Sequence, residues 1–263
     1  MDLGLTQKIA LVSASSKGLG RASAMALAQE GARVTICARN EEQLQATAAD
    51  IRAATGAEVL AIPADVSQVE DINRLVKETI AHFGGLHILV TNAGGPPTGY
   101  FKEFADAQWQ AAFNLTLMSA VRLIRAAIPQ MQQQRWGRII NITSLSVKEP
   151  VDALLLSNSI RPAIHGLAKT LANQLSQDGI TVNNVMPGTI HTDRIDQLAE
   201  YAANQSGQSV AEALADMGKL VPLGRIGRPE ELGALVAFLA SEKASYINGA
   251  SIPVDGGRMK GTF

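Results

Sequence analysis

The residues Ser13, Ala14, Ser15, Ser16, Lys17, Gly18, Leu19 and Gly20 follow a short apolar run and open a helical stretch. A strand, a glycine turn and a helix start aim backbone N–H groups and the positive helix end at one point, which suits a pyrophosphate. The strict G-x-G-x-x-G spacing is not kept, because position 23 holds Ser23. Taken alone, the turn is either a nucleotide site or a tight connection. Arg39 and Lys17 form the next pair with chemistry to offer. A ribose 2′-hydroxyl is gripped by a carboxylate at the end of the second strand, whereas here that end reads Cys37-Ala38-Arg39-Asn40. A guanidinium fork matches phosphate oxygens and an ammonium adds a point charge. The pair therefore points to a 2′-phosphate and to NADP(H) over NAD(H); the other reading is two solvated surface cations.

These residues need a scaffold, and the pattern supplies one. Short β-branched runs at 9–12, 34–37, 59–62, 88–90, 139–142, 182–185 and 252–254 alternate with Ala-, Leu- and Gln-rich stretches such as 21–30, 41–54 and 72–82. The runs are almost continuously apolar, as strands buried on both faces of a parallel sheet are. Gly31, Gly56 and Gly84 follow helical stretches, where a left-handed cap favours glycine. The expectation is α/β: one Rossmann-type, doubly wound domain over residues 1–263, with about seven parallel strands and helices on both faces. The polar segment at about 189–227, helical around 197–217, breaks the rhythm and is expected to be a lid over the crevice.

Composition removes other classes. With 23 basic against 24 acidic residues, the formal charge is −1, so no nucleic-acid or anionic membrane partner is called for. Cys37 is the only cysteine, which excludes an intrachain disulfide and a cysteine metal site. His82, His87, His165 and His191 lack the paired spacing of a metal motif; no metal is expected. No apolar run approaches membrane length and the start does not read as a secretion signal, so a cytoplasmic location is the expectation.

From about Lys8 to Gly257 the sequence resembles the classical short-chain dehydrogenase/reductase family, within it the members like 3-oxoacyl-acyl-carrier-protein reductase. The motifs stand in family order: Ser13 to Gly20; Asp65-Val66, which looks like the adenine-contacting pair; and Asn92-Ala93-Gly94 beside the cofactor. Pro187-Gly188 with Ile190 and Thr192 matches the segment along the nicotinamide, and Val254-Asp255-Gly256-Gly257 the closing motif. The resemblance implies NADP(H) and a small carbonyl or acyl-thioester substrate. It also implies a homo-oligomer, a tetramer more than a dimer, pairing residues 114–134 and 157–177 across a two-fold axis.

The resemblance further implies an Asn–Ser–Tyr–Lys tetrad, in which tyrosine gives a proton to the substrate oxygen while the nicotinamide delivers hydride. Asn114 and Ser144 match the first two members. The tyrosine and lysine positions hold Ser157 and Arg161. None of the three tyrosines, Tyr100, Tyr201 and Tyr246, falls where the acid belongs. Ser157 and Arg161 are four apart and share a helix face. Arg161 can still bind a ribose and keep a positive charge near the nicotinamide, but it does not exchange protons at neutral pH. A serine hydroxyl is no useful acid without an activating partner. Lys148, His191 and Tyr100 are candidate substitutes, each with a bland alternative as a loop residue; His165 fits a subunit interface better. Leu198, Tyr201, Leu214 and Met217 either line the substrate pocket or pack the lid. Ala14 stands where the family's turn has its first glycine.

Three functions follow: an NADP(H)-dependent oxidoreductase with an altered tetrad, an NADP(H)-binding sensor or assembly partner with little or no dehydrogenase activity, and a fold whose turn no longer takes a dinucleotide.

Overall fold

The computed structural model describes residues 2–261. Seven strands, β1 (Ile9–Val12), β2 (Arg33–Ala38), β3 (Val59–Pro63), β4 (Ile88–Thr91), β5 (Gly137–Ile142), β6 (Ile180–Pro187) and β7 (Ser251–Val254), form one sheet in the order β3-β2-β1-β4-β5-β6-β7. Every pairing is parallel. The helices are α1 (Gly18–Gln29), α2 (Glu41–Thr55), α3 (Val69–Phe83), α4 (Asp106–Phe113), α5 (Ser119–Gln133), α6 (Leu155–Ile160), α7 (Pro162–Leu175), α8 (Asp193–Ser206), α9 (Val210–Lys219) and α10 (Pro229–Ala240).

Side chains alternate across a strand, and β1 shows the result. Ala10 and Val12 enter the apolar layer under α1, α2 and α10, while Leu11 enters the opposite layer with Leu75, Leu123 and Val182. Gly56 and Gly84 close α2 and α3 at φ 70° and 84°, the left-handed conformation expected of them. Strand order reverses between β1 and β4, so their carboxyl ends splay apart and leave the crevice in which such sheets bind ligands.

Three local expectations need correction. The helical stretch at 197–217 is two helices, α8 and α9, because Gly207 turns left-handed at φ 74°. The stretch 157–177 is broken at Arg161, where Pro162 offers no N–H and starts α7 afresh. The stretch 114–134 starts earlier: Asp106–Gln133 is one 28-residue helix through a π-helical segment, Asn114–Met118, and is long and apolar enough by length and composition to cross a membrane. It does not stand free, since Leu123, Ile124, Ala127 and Met131 are buried in the layer beside the sheet.

A polar chain runs under the carboxyl edge of the sheet. The Thr91 hydroxyl donates to Asn141 Oδ1 (2.7 Å), Asn141 Nδ2 to Asn184 Oδ1 (2.9 Å) and Asn184 Nδ2 to Ser251 Oγ (3.0 Å). Ser251 then meets His165 Nδ1 at 2.9 Å, and His165 Nε2 meets Thr143 Oγ1 at 3.1 Å. Thr143 Oγ1 donates to the Val185 carbonyl, so it accepts from Nε2–H, and Nδ1 accepts from Ser251. Both ring nitrogens are thus engaged inside the chain. Burial, then the Lys148 and Arg161 charges, push its pKa down to about 4. The unfolded imidazole takes up its proton near pH 6.5 and the native one only near 4, so this contribution is full above 6.5 and lost as pH falls toward 4. With screening at a half-buried site, we expect it to be about 1 kcal/mol. Urea unfolding at pH 7 and pH 4.5 should show the loss, and His165→Gln should reduce it; an equal loss in the variant would refute the assignment.

Candidate active site

A crevice of about 980 Å³ opens along the carboxyl ends of β1, β2, β4, β5 and β6. At one end the turn after β1 leads into α1, whose N-terminus carries no side-chain cap and no acidic residue in its first turn. Its first N–H groups are therefore open to an anion. Gly20 must be glycine, because a Cβ there would lie 2.3 Å from the Ala14 carbonyl oxygen. Ala14 itself sits at φ 47°, so it holds the shape glycine would give this turn, at a cost of about 1–2 kcal/mol. Ser16, Lys17, Gly18 and Leu19 line the crevice. Ser13 and Ser15 do not. They are buried beneath it: Ser13 Oγ donates to the Asn92 carbonyl (2.6 Å) and accepts its N–H (2.8 Å), and Ser15 Oγ donates to the Val12 carbonyl (2.7 Å). These two serines hold the turn to its neighbouring strands.

Further along, Asp65, Val66, Asn92, Ala93, Gly94, Pro187, Gly188, Ile190 and Thr192 all face the crevice. Arg39 is exposed at its rim beside Asn40, which caps α2 by accepting the Gln43 N–H at 2.8 Å. Lys17 has a different partner from the one the sequence suggests: its ammonium pairs with Asp193, in the first turn of α8. This pair ties α8 to the glycine turn and holds the Asp193 carboxyl below its usual pKa. The open helix end, the glycine cradle and the cation at the rim fit a dinucleotide carrying a 2′-phosphate.

At the other end lie Ser144, Ser157 and Arg161. Ser144 starts a 3-10 turn after β5, and its Oγ accepts the Ser146 N–H at 3.1 Å. The Arg161 side chain, 8% exposed, is pinned on four sides. Nε donates to Ser157 Oγ (3.1 Å), Nη1 to the carbonyls of Thr143 (2.8 Å) and Ile142 (3.3 Å), and Nη2 to that of Gly94 (2.7 Å). A guanidinium has five N–H bonds, so one, on Nη2, stays available to the crevice. Burial and, less, the charge of Arg194 bring its pKa down to about 10, still charged at neutral pH. Asn114 begins the π-helical segment and does not line the crevice; its neighbour Leu115 does.

The substitute acids stand elsewhere. Lys148 is exposed and outside the crevice. His191 Nε2 lies 3.1 Å from Asp196 Oδ1, and both side chains are exposed. Tyr100 is 49% exposed and contributes no crevice surface. Leu198 lines the crevice, whereas Leu214 and Met217 pack on Ala199, Ala203 and Ala213 between α8 and α9, and Tyr201 does not line the crevice. Arg194 was missed in the sequence; its Nη2 donates to the Pro96 carbonyl at 2.9 Å. The signal was a basic residue at the first turn of α8, immediately after Thr192-Asp193.

A family profile described as enoyl-(acyl carrier protein) reductase matches residues 13–258. The chain is 35% identical over 253 residues to the 3-oxoacyl-[acyl-carrier-protein] reductase of Staphylococcus aureus, covering 95% of this chain and 97% of that one. Its fold superposes on L-sorbose reductase from Gluconobacter frateurii, solved with NADPH and L-sorbose, at a TM-score of 0.95 and 34% identity, over 99% of this chain and 100% of that one. YwfH, an NADPH-dependent reductase involved in bacilysin biosynthesis, gives 0.92 at 32% identity, over 97% and 99%. By sequence, by sheet order and by the ordered motifs along its crevice, the chain belongs to the classical short-chain dehydrogenase/reductase family.

Proposed function

We infer that the protein is an NADP(H)-dependent oxidoreductase, of the type of 3-oxoacyl-acyl-carrier-protein reductase, that interconverts a carbonyl and an alcohol. One observation carries this: a single crevice joins the uncapped α1 N-terminus and Arg39 at one end to Ser144, Ser157 and Arg161 at the other. NADPH bound there supplies a hydride. The Ser144 hydroxyl holds the carbonyl oxygen, and the fixed Arg161 guanidinium nearby stabilises the negative charge that builds on it. Arg161 keeps its own protons, so the proton reaches that oxygen from water at the Ser157 hydroxyl. Removing a positioned acid costs about 10²–10⁴-fold, so turnover is slow for the family.

The same absence of a positioned acid favours the second reading, an NADP(H)-binding sensor or assembly partner. NADPH consumption across aldehydes, ketones and 3-oxoacyl thioesters decides between them. Arg39→Ala, assayed alongside, should weaken NADPH by about tenfold or more and leave NADH nearly unchanged; equal losses would refute the 2′-phosphate assignment. Saturating NADPH with no turnover on any substrate would leave the second reading.

We place the protein in the cytoplasm as a homotetramer. For the assembly, the support is that the apolar window of the Asp106–Gln133 helix is only 39% buried in one chain, and a second copy can cover the remainder. A monomer mass on gel filtration would overturn it.

A further inference from the structure

Two guanidinium groups converge on the substrate end of the crevice with no carboxylate to answer them. Arg161 hangs from the Gly94 carbonyl and Arg194 from the Pro96 carbonyl, two residues along one loop, and the Arg194 Nε comes within 3.3 Å of where a Cβ on Gly95 would stand. Arg161 is more than nine-tenths buried, and its charge is met only by neutral oxygens. Arg194 makes one hydrogen bond among the described residues, which leaves four of its five N–H groups unengaged. The carboxylates lining the crevice are Asp65 and Asp193. Asp193 is taken by Lys17, and Asp65 follows β3 at the far end, where its Oδ1 accepts the Ser67 N–H. A buried cation without a counter-charge is costly, and burial lowers the pKa of both guanidinium groups, with the Arg194 charge adding to the effect at Arg161. The balance is restored when an anion arrives from outside.

We propose that Arg161 and Arg194 form a cradle for the carboxylate of a small oxo-acid substrate, which sets its carbonyl against Ser144. This rests on the reading of the protein as a reductase. Arg161 contributes its one open N–H and Arg194 its fork, so the acid is held from two sides. The cofactor's own anions have their places elsewhere, at the α1 N-terminus and at Arg39, which leaves this pair to the substrate. A carboxylate held there also answers the missing tyrosine, because binding energy spent on the acid group orients a carbonyl that no phenol positions.

The test is calorimetric titration of the NADP+-saturated protein with pyruvate, acetoacetate and 2-oxo-4-phenylbutanoate, each beside its ethyl ester, with NADP+ affinity measured separately. At least one acid should bind about tenfold or more tightly than its ester. Arg194→Gln should bring that ratio to near one while changing NADP+ affinity by less than about twofold. Lys148→Gln, which removes an exposed cation outside the crevice, should leave the ratio as it was. The proposal is overturned if no acid outbinds its ester, if Arg194→Gln keeps the preference, or if that variant weakens NADP+ as much as the acid. In the last case Arg194 serves the cofactor. Failure of NADP+ to bind at all would overturn the reductase reading itself, whereas NADP+ binding without acid preference overturns the cradle alone.

Discussion

Exchanging Ser157→Tyr and Arg161→Lys together is expected to raise kcat for NADPH-dependent carbonyl reduction by about 10²-fold or more. The expectation follows from what the native pair lacks. A phenol whose pKa is lowered by a neighbouring ammonium donates a proton in the transition state; a serine beside a guanidinium does neither. The cofactor end is unaffected by the exchange, so the gain belongs in kcat and not in the affinity for NADPH. Neither single change should deliver it. Ser157→Tyr alone puts a ring where Ser157 Oγ now lies 3.1 Å from Arg161 Nε. Arg161→Lys alone leaves three donors to serve four acceptors that a planar fork now reaches. The pair is therefore strongly non-additive. Single-turnover kinetics on both singles and the double would settle it. A double variant that folds, binds NADPH and turns over no faster would show that the acid is not what limits the native protein.

Arg161→Met should cost about 2–4 kcal/mol of stability, because it strands the carbonyls of Gly94, Ile142 and Thr143 without their donor. Relief of the buried charge offsets part of this, which is why the figure is not larger. In a chain of 263 residues, that corresponds to a fall in Tm of roughly 5–15 °C. These carbonyls end β4 and β5, so the loss should appear as faster hydrogen exchange at those two strand ends before the rest of the sheet. An unchanged Tm would mean that water satisfies the carbonyls equally well, and that Arg161 is no clamp.

The strands were legible because a parallel sheet buries both faces: β1 reads I-A-L-V with every residue buried, and the predicted range matches it residue for residue. The glycine turn and the crevice motifs were legible because close backbone approach restricts residue type, as at Gly20. What lay outside the sequence was pairing between distant residues. Lys17 and Asp193 are 176 positions apart, and nothing local at either position says that they meet. His165 carries helical spacing that suits an interface equally well; only the register of β5, β6 and β7 places Thr143 and Ser251 on its two nitrogens. The break between α6 and α7 is in principle readable from Pro162, which has no N–H with which to continue a helix. Arg194 escaped because its meaning depends on the carbonyl of Pro96, nearly a hundred residues earlier.

The tie between Lys17 and Asp193 bears on timing. Both side chains are 59% exposed, and an ion pair so hydrated is worth about 0–1 kcal/mol. On its account, keeping the start of α8 against the glycine turn is favoured over releasing it by about fivefold at most. That is a latch held by a spring and not by a bolt. Departure of the dinucleotide should quicken as salt rises, because the charges that hold its phosphates are screened, and a phosphate arriving at the turn competes with Asp193 for the same ammonium. The nucleotide thus loosens the catch as it enters, and the time α8 spends against the turn becomes a property of the ligand as much as of the chain.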